Sequence, residues 1–535
     1  MKRTCQASIL LLCLLVLITC NNGNSVPSKN TIQISSIIPT NSCNRGPVVI
    51  QSITGSRFSD GATVVLTKDG ETDIEATSVV VTGDSEISCE FDLNGATTGE
   101  WDLEISDGTL NPGILMGGFI ITSAWYVSTS GDGGNDVNSG TASSPLATIQ
   151  AAVTAASAGE EVRVSAGTYS VDSTSQIVMK SGVSIRGGYD PDTWEQDIDT
   201  NTTTIQDTTS TAASSMDEPH CAVTVDSSVT TETVLEGFTI HGSDESSAVY
   251  TSAIFLDRYA NVYGPTIRYN TIDGGGGSSH SYGIYARGYF YAVIENNSIY
   301  GGSSASTYSY GFYGRMLNTT LIRNNAIDGG DASTTTGIFF RQGSAPVIDN
   351  NIIYGGDGAH SYGIEDYNND MKNVRIRNNT IDGGLGVGNS SYGIYIASGS
   401  TPAIENNIIY TSGTNNYRYG IYEHDTDSDP TAVNNNDIFD CPAALYYDEA
   451  ATSITNISDV NGLTEASDNI SVDAVFTDPS SGDFHVGASG LRAGLNGIDQ
   501  SWTSFPENES GKPIDYEGTE RPASGSPWTI GAYEY

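Results

Sequence analysis

The chain has 535 residues, with 22 basic against 64 acidic side chains, a formal net charge of −42 and 60 glycines. That balance excludes a nucleic-acid partner, because neutralising phosphates needs Lys and Arg clusters that are missing here. Acidic polysaccharides are repelled as well unless Ca2+ bridges the two surfaces; nothing requires a cofactor, and a neutral polysaccharide or cell-surface glycan is the better-matched partner. Charged residues make up only 16% and hydrophobic residues 37%, which suits short strands between tight turns and predicts an all-β chain.

In chain order, the first element is a targeting segment over residues 1–19, with Lys2 and Arg3 ahead of an apolar run from Ile9 to Ile18. No later stretch is long and apolar enough to span a bilayer. Leu17-Ile18-Thr19-Cys20 resembles the lipobox of bacterial lipoproteins, with Thr19 in place of the usual small residue. The resemblance implies that Cys20 is lipidated and becomes the mature N-terminus, and that Asn21 permits transfer to the outer membrane. Residues 20–30 then read as a flexible tether. The expected location is the outer membrane or cell surface, with the lipid as the sole membrane contact.

Outside the signal the cysteines are Cys43, Cys89, Cys221 and Cys441. A Cys43–Cys89 disulfide and two free thiols are both open readings, since sequence does not place their Cα atoms.

Residues 31–123 carry short alternating strands such as Val48 to Ile53 and Trp101 to Ile105, the pattern of a β-sandwich. Ser36-Ile37-Ile38-Pro39, Phe58-Ser59-Asp60-Gly61-Ala62 and Gly117-Gly118-Phe119 resemble the IPT/TIG immunoglobulin-like family. That resemblance implies a spacer or protein-binding module without catalysis.

A helix is expected over about 145–158, capped by Ser144, started by Pro145, and apolar along Leu146, Ile149, Val153 and Ala156. It suits a lid over the first coil of a solenoid, whose end otherwise exposes apolar surface and strand edges. Trp125-Tyr126-Val127-Ser128 through Ala166-Gly167-Thr168-Tyr169 resembles the N-terminal region of extracellular β-helix proteins, some polysaccharide lyases among them.

The strongest signal is a repeat. Ile267-Arg268-Tyr269-Asn270-Thr271-Ile272 returns five times and once more in decayed form, placing Asn at 270, 297, 325, 351, 379, 407 and 436. Gly283-Ile284-Tyr285 returns in step, as in Gly393-Ile394-Tyr395. A period of this size is one supersecondary unit that buries its aliphatic residues only by stacking on its neighbours. Asn270, Asn297, Asn325, Asn351, Asn379 and Asn407 are expected to form a structural ladder at a bend, being tolerant of left-handed backbone and able to pair coil to coil. The pattern resembles the pectin-lyase-like superfamily, which implies a right-handed parallel β-helix over 124–449. A tail resembling the end segments of secreted β-helix proteins, such as Ile530-Gly531-Ala532-Tyr533-Glu534, implies that 450–535 supplies the final coil.

A finer period lies within the first. The series Arg268, Glu295, Arg323, Asp349, Arg377, Glu405 alternates in sign and predicts an exposed charge ladder that disfavours slippage by one coil.

Two kinds of site remain. Tyr285, Tyr313, Phe339, Tyr395 and Tyr422 each follow an inward aliphatic or Phe and so point outward in register, with Glu365 interrupting. They form either a glycan-stacking platform or simple packing between coils. No catalytic set is assigned; Glu423, His424 and Asp425 resemble the acidic-His strings of alginate epimerases in composition but not in order, and a solvated turn is the alternative. No metal-ligand spacing is present. The reading is a monomeric surface β-helix lipoprotein that binds glycans or adheres. The alternatives are a polysaccharide lyase or epimerase and, third, a structural envelope protein.

Overall fold

The computed structural model describes residues 31–521 and 528–533, except 46, 211–214, 217, 227, 231, 245–248, 258–261, 289, 304–306, 317–319, 368–373, 450–451, 479–482 and 487–512. Cys20 and the tether lie outside the described residues. The chain forms two compact units that divide near residue 122.

The first unit has two antiparallel sheets. One orders the strands Gln33–Ile38, Pro47–Ser56, Glu86–Asp92 and Thr77–Thr82; the other orders Asn41–Cys43, Gly113–Thr122, Gly99–Ser106, Thr63–Thr67 and Ile74–Glu75. Strict alternation sends Val48, Ile50 and Phe91 from one sheet, and Leu66, Trp101 and Phe119 from the other, into a shared core. Cys89 is a buried free thiol, and burial pushes it up to about 12; the Cys43 side chain lies outside the described residues.

The second unit is a parallel β-solenoid with three faces, of twelve, ten and eleven strands. One coil contributes Arg375–Arg377 to the first sheet, Thr380–Asp382 to the second and Ser390–Ala397 to the third. The next coil stacks in register, pairing Ile376 with Ile404, Ile381 with Ile409 and Ile394 with Ile421. All six are fully buried, so the repeat period and the core are one fact seen twice.

Its N-terminal end is covered by a helix shorter than expected, Ile149–Ala155, and the cap is Thr148, not Ser144. The reason lies upstream: the Asp136 carboxylate accepts from the backbone N–H groups of Ala147 and Thr148 at 2.9 Å, holding that stretch extended until Thr148 can accept from the Ala151 N–H. Ile149, Ala152 and Val153 are buried as a lid requires. At the other end the hairpin of Ala444–Asp448 and Thr452–Ile454 and the short helix Ile457–Val460 join the main core through Tyr446, Ile454 and Val460. The strand Ala466–Ser467 pairs in parallel with Ala432–Asn434, and Ile470 bridges in parallel to Asp437, so the tail as far as Ile470 supplies the last, partial coil.

At the corner between the first and second sheets the asparagines split into two rows with two jobs. The ladder row is buried, and each carboxamide donates to the next: Asn270 to Asn297 at 3.1 Å, then Asn297 to Asn325, Asn325 to Asn351, Asn351 to Asn379 and Asn379 to Asn407 at 3.0 Å. It continues through Asn436 to Asn469. The left-handed backbone expected of these residues belongs instead to the residue before each, namely Asn296, Asn324, Asn350, Asn378, Asn406 and Asn435.

That second row faces outward and holds the tail. Asn350 donates to the Ile514 carbonyl at 3.3 Å and Asn406 to the Thr529 carbonyl at 3.0 Å. The Gly531 N–H donates back to the Asn406 carbonyl at 2.9 Å. The described residues from Pro513 onward thus run along the side of the coils, because a row of outward carboxamides is a row of donors and acceptors for extended backbone.

The charge ladder forms with each Arg bonded to the coil before it: Arg268 to Glu236 at 2.7 Å, Arg323 to Glu295 at 2.8 Å and Arg377 to Asp349 at 2.6 Å. It is not uniformly exposed. Arg377 and Asp349 are each 1% exposed, which makes this pair a buried one with correspondingly larger consequences.

Candidate functional site

The third sheet carries the candidate site, and a glycine builds it. In His280–Arg287 the side chains of Ile284 and Ala286 join the core, while Tyr282 and Tyr285 both belong to a separate aromatic cluster. Gly283 breaks the alternation between them: a Cβ there would meet the Gly311 carbonyl oxygen and Ile299 Cγ2 at 2.6 Å. Two tyrosines three residues apart therefore share one face, with ring centroids 5.0 Å apart.

Repetition turns this into two columns. One runs Tyr282, Tyr310, Thr336, Tyr362, Tyr392, Tyr419; the other runs Phe255, Tyr285, Tyr313, Phe339, Glu365, Tyr395, Tyr422, Tyr447. The second contains all five expected platform residues. The first recurs in the Ser-Tyr-Gly strings but is not among the expected residues, because alternation alone sends a residue three positions away to the opposite face.

Thr336 and Glu365 interrupt both columns at midlength and touch, the Thr336 hydroxyl donating to Glu365 at 3.3 Å. Burial raises the Glu365 carboxyl to about 7, against the pull of Thr336 and Arg341. The two halves differ. On the N-terminal side Tyr285 is 0%, Tyr313 1% and Phe339 6% exposed, so these three pack in a closed cluster with Phe255 and Cys221 and offer no ring face to a ligand. The expectation of outward exposure fails there although the side chains do point away from the core.

On the C-terminal side Tyr362, Tyr392, Tyr395, Tyr419, Tyr422 and Tyr447 are half-buried. Within a column the rings are stacked: Tyr362 on Tyr392 at 5.0 Å, Tyr392 on Tyr419 at 5.2 Å, Tyr395 on Tyr422 at 5.4 Å and Tyr422 on Tyr447 at 4.4 Å. Across columns they meet edge to face, as Tyr392 meets Tyr395 at 5.2 Å and 75°, the arrangement their quadrupoles favour.

The acidic turn borders this strip. Glu423 is 2% exposed and accepts from the buried Tyr446 hydroxyl; burial and the neighbouring Glu449 carboxyl push it up to about 9. Carboxylate oxygens of Glu423, Asp448 and Glu449 lie within 4.8 Å of one another, an approach that either a proton on Glu423 or a cation such as Ca2+ accommodates. Asp425 accepts from the Ser398 N–H at 2.7 Å and the Ser428 hydroxyl at 2.8 Å, which makes it a turn-forming carboxylate. His424 is 56% exposed, and among the described residues its ionic neighbour is Asp425 at 3.4 Å.

A family model described as a right-handed β-helix region matches residues 221–438, the coils that carry the repeat. No curated protein matches the chain by sequence. Among solved structures, pectate lyase Pel9A aligns at 14% identity over 77% of this chain and 96% of its own, with a TM-score of 0.48. The A-module of the mannuronan C-5 epimerase AlgE6 of Azotobacter vinelandii aligns at 16% over 61% of this chain and 94% of its own, with a TM-score of 0.32. XylC in complex with xylose aligns at 11% over 77% and 98%, with a TM-score of 0.35. Identities this low carry no inference about chemistry.

Proposed function

We propose that the chain is an exported, lipid-anchored glycan-binding module that holds a neutral polysaccharide along the six half-buried tyrosines of the third sheet. One observation carries this reading: on the C-terminal coils two stacked columns keep their tyrosines part-exposed at a spacing repeated from coil to coil. Such rings contribute apolar burial against sugar faces without charge, which suits a partner that a chain of net charge −42 does not repel. A lyase or epimerase needs an acid or base within reach of the sugar. Glu423 is buried behind its bond to Tyr446 and Asp425 is engaged in a turn, which leaves Glu365 within the columns and His424 beside Tyr395 as the acid–base groups that a lyase or epimerase reading would use. The IPT/TIG-like unit then serves as a spacer from the membrane.

Removing Tyr395 and Tyr422 together, each to Ala, is expected to weaken retention on a neutral polysaccharide column about tenfold while the protein stays folded by circular dichroism. Unchanged retention by a variant that melts lower would assign the rings to coil packing alone. Cys20→Ser is expected to move the protein from the membrane fraction to the soluble fraction, because stable anchoring depends on the acyl chains. Persistence in the membrane fraction would remove the lipid anchor from the proposal.

A further inference from the structure

At the corner between the first and second sheets, coil after coil places Asn in left-handed backbone, but one places tyrosine. Tyr269 has φ 53°, a conformation that aromatic side chains seldom adopt and that Asn adopts readily. Backbone strain of this kind persists where a side chain is needed in a particular place. The ring is not used in the core, since Tyr269 is 48% exposed.

Tyr269 borders a groove of about 340 Å³, lined with it by Ile198, Thr271, Asn296, Ser298 and Tyr516 over ladder asparagines; no lining residue is charged. Thr271 and Ser298 are exposed. Farther along the same corner, the carboxamides of Asn350, Asn378 and Asn406 bond the tail backbone. The tail reaches Asn324 through the Asp515 carbonyl at 3.4 Å, and Asn296 lies one coil beyond that contact. Arg268 has its guanidinium 5.7 Å from the Tyr269 centroid and is bonded to Glu236 at 2.7 Å.

We infer that this groove is a second saccharide site, separate from the third-sheet tyrosines, that takes a short neutral oligosaccharide. The Tyr269 ring supplies a flat apolar face for a pyranose. The Asn296 carboxamide and the hydroxyls of Thr271 and Ser298 supply donors and acceptors that match sugar hydroxyls. The absence of charge among the lining residues leaves an acidic sugar without a counterion. The volume lies at the low end of the ligand-pocket range of about 300–1,000 Å³, which limits the occupant to a few sugar rings.

The test titrates the full chain with neutral glucan, mannan and xylan trisaccharides, with trigalacturonate, and with a synthetic peptide copying residues 513–533, each followed calorimetrically. Tyr269→Asn installs the residue used by the six coils that follow, so it should fold at least as well as the parent. Asn296→Gly removes the carboxamide yet keeps the left-handed backbone. At least one neutral trisaccharide is expected to bind the parent, to bind both variants about tenfold more weakly, and to keep this component of binding when Tyr395 and Tyr422 are both Ala. The inference is overturned if no neutral trisaccharide binds, if Tyr269→Asn binds like the parent, or if only trigalacturonate or the peptide binds. Loss of binding in the Tyr395 and Tyr422 variant alone would uphold the third-sheet strip and reject this groove.

Discussion

Asn351→Ala is expected to lower the urea midpoint of the solenoid by an amount equivalent to about 3 kcal/mol or more, far beyond a typical surface substitution. The side chain is fully buried, and its oxygen accepts from both the backbone N–H and the carboxamide of Asn325, at 2.9 and 3.0 Å. Its amide donates to the carbonyls of Ile322 and Asp349, at 2.8 and 3.0 Å, and to Asn379 at 3.0 Å. Alanine removes all five bonds and leaves buried groups unpaired on two coils, each costing about 1–3 kcal/mol before relaxation. Because each coil contacts only its neighbours, faster hydrogen exchange should concentrate in the coils flanking residue 351. Ser298→Ala, exposed on the same corner, should leave the midpoint where it is. An equal midpoint for Asn351→Ala and the parent would remove the ladder from the account of stability.

Arg377→Met is expected to destabilise by about 3–5 kcal/mol, because it strands the Asp349 carboxylate in a buried position. The guanidinium holds that carboxylate with two bonds, Nε to Oδ1 at 2.9 Å and Nη2 to Oδ2 at 2.6 Å. The informative partner is the double variant with Asp349→Leu added. Replacing both charges by apolar side chains of similar volume is often close to neutral, so the double variant should recover most of the loss. Recovery would assign the pair to coil register and not to net stability. A mild single variant, under about 1 kcal/mol, would place the pair with exposed surface bridges and contradict its burial.

The aromatic strip marks where reading from the sequence stops. Tyr285 and Tyr395 occupy the same position of the same repeat, and the pattern correctly directs both away from the core. Direction follows from strand pleat, a local property. Exposure depends on which other parts of the chain lie over the ring, and the two differ there: Tyr285 is closed within a cluster that includes Cys221, whereas Tyr395 remains half-buried. The Tyr282 column escaped notice for a related reason, since the break in alternation at Gly283 becomes visible only when the next coil's backbone is in place.

What the sequence by itself determined is everything that repeats: the all-β class, the solenoid, the positions of the buried Ile rows and the register that sets Asn over Asn and Arg against Glu or Asp. In-register stacking makes each coil the template of the next, so a periodic string is already a three-dimensional statement. What only the tertiary structure decided is everything that happens once. Asp136 shortens the helix so that its cap is Thr148, and Arg377 is buried while its ladder-mates stay accessible. The described residues from Pro513 onward bond a row of outward carboxamides in coils distant in sequence. Each of these depends on a contact between residues that no local period relates, and such a contact leaves no mark in the spacing of either partner.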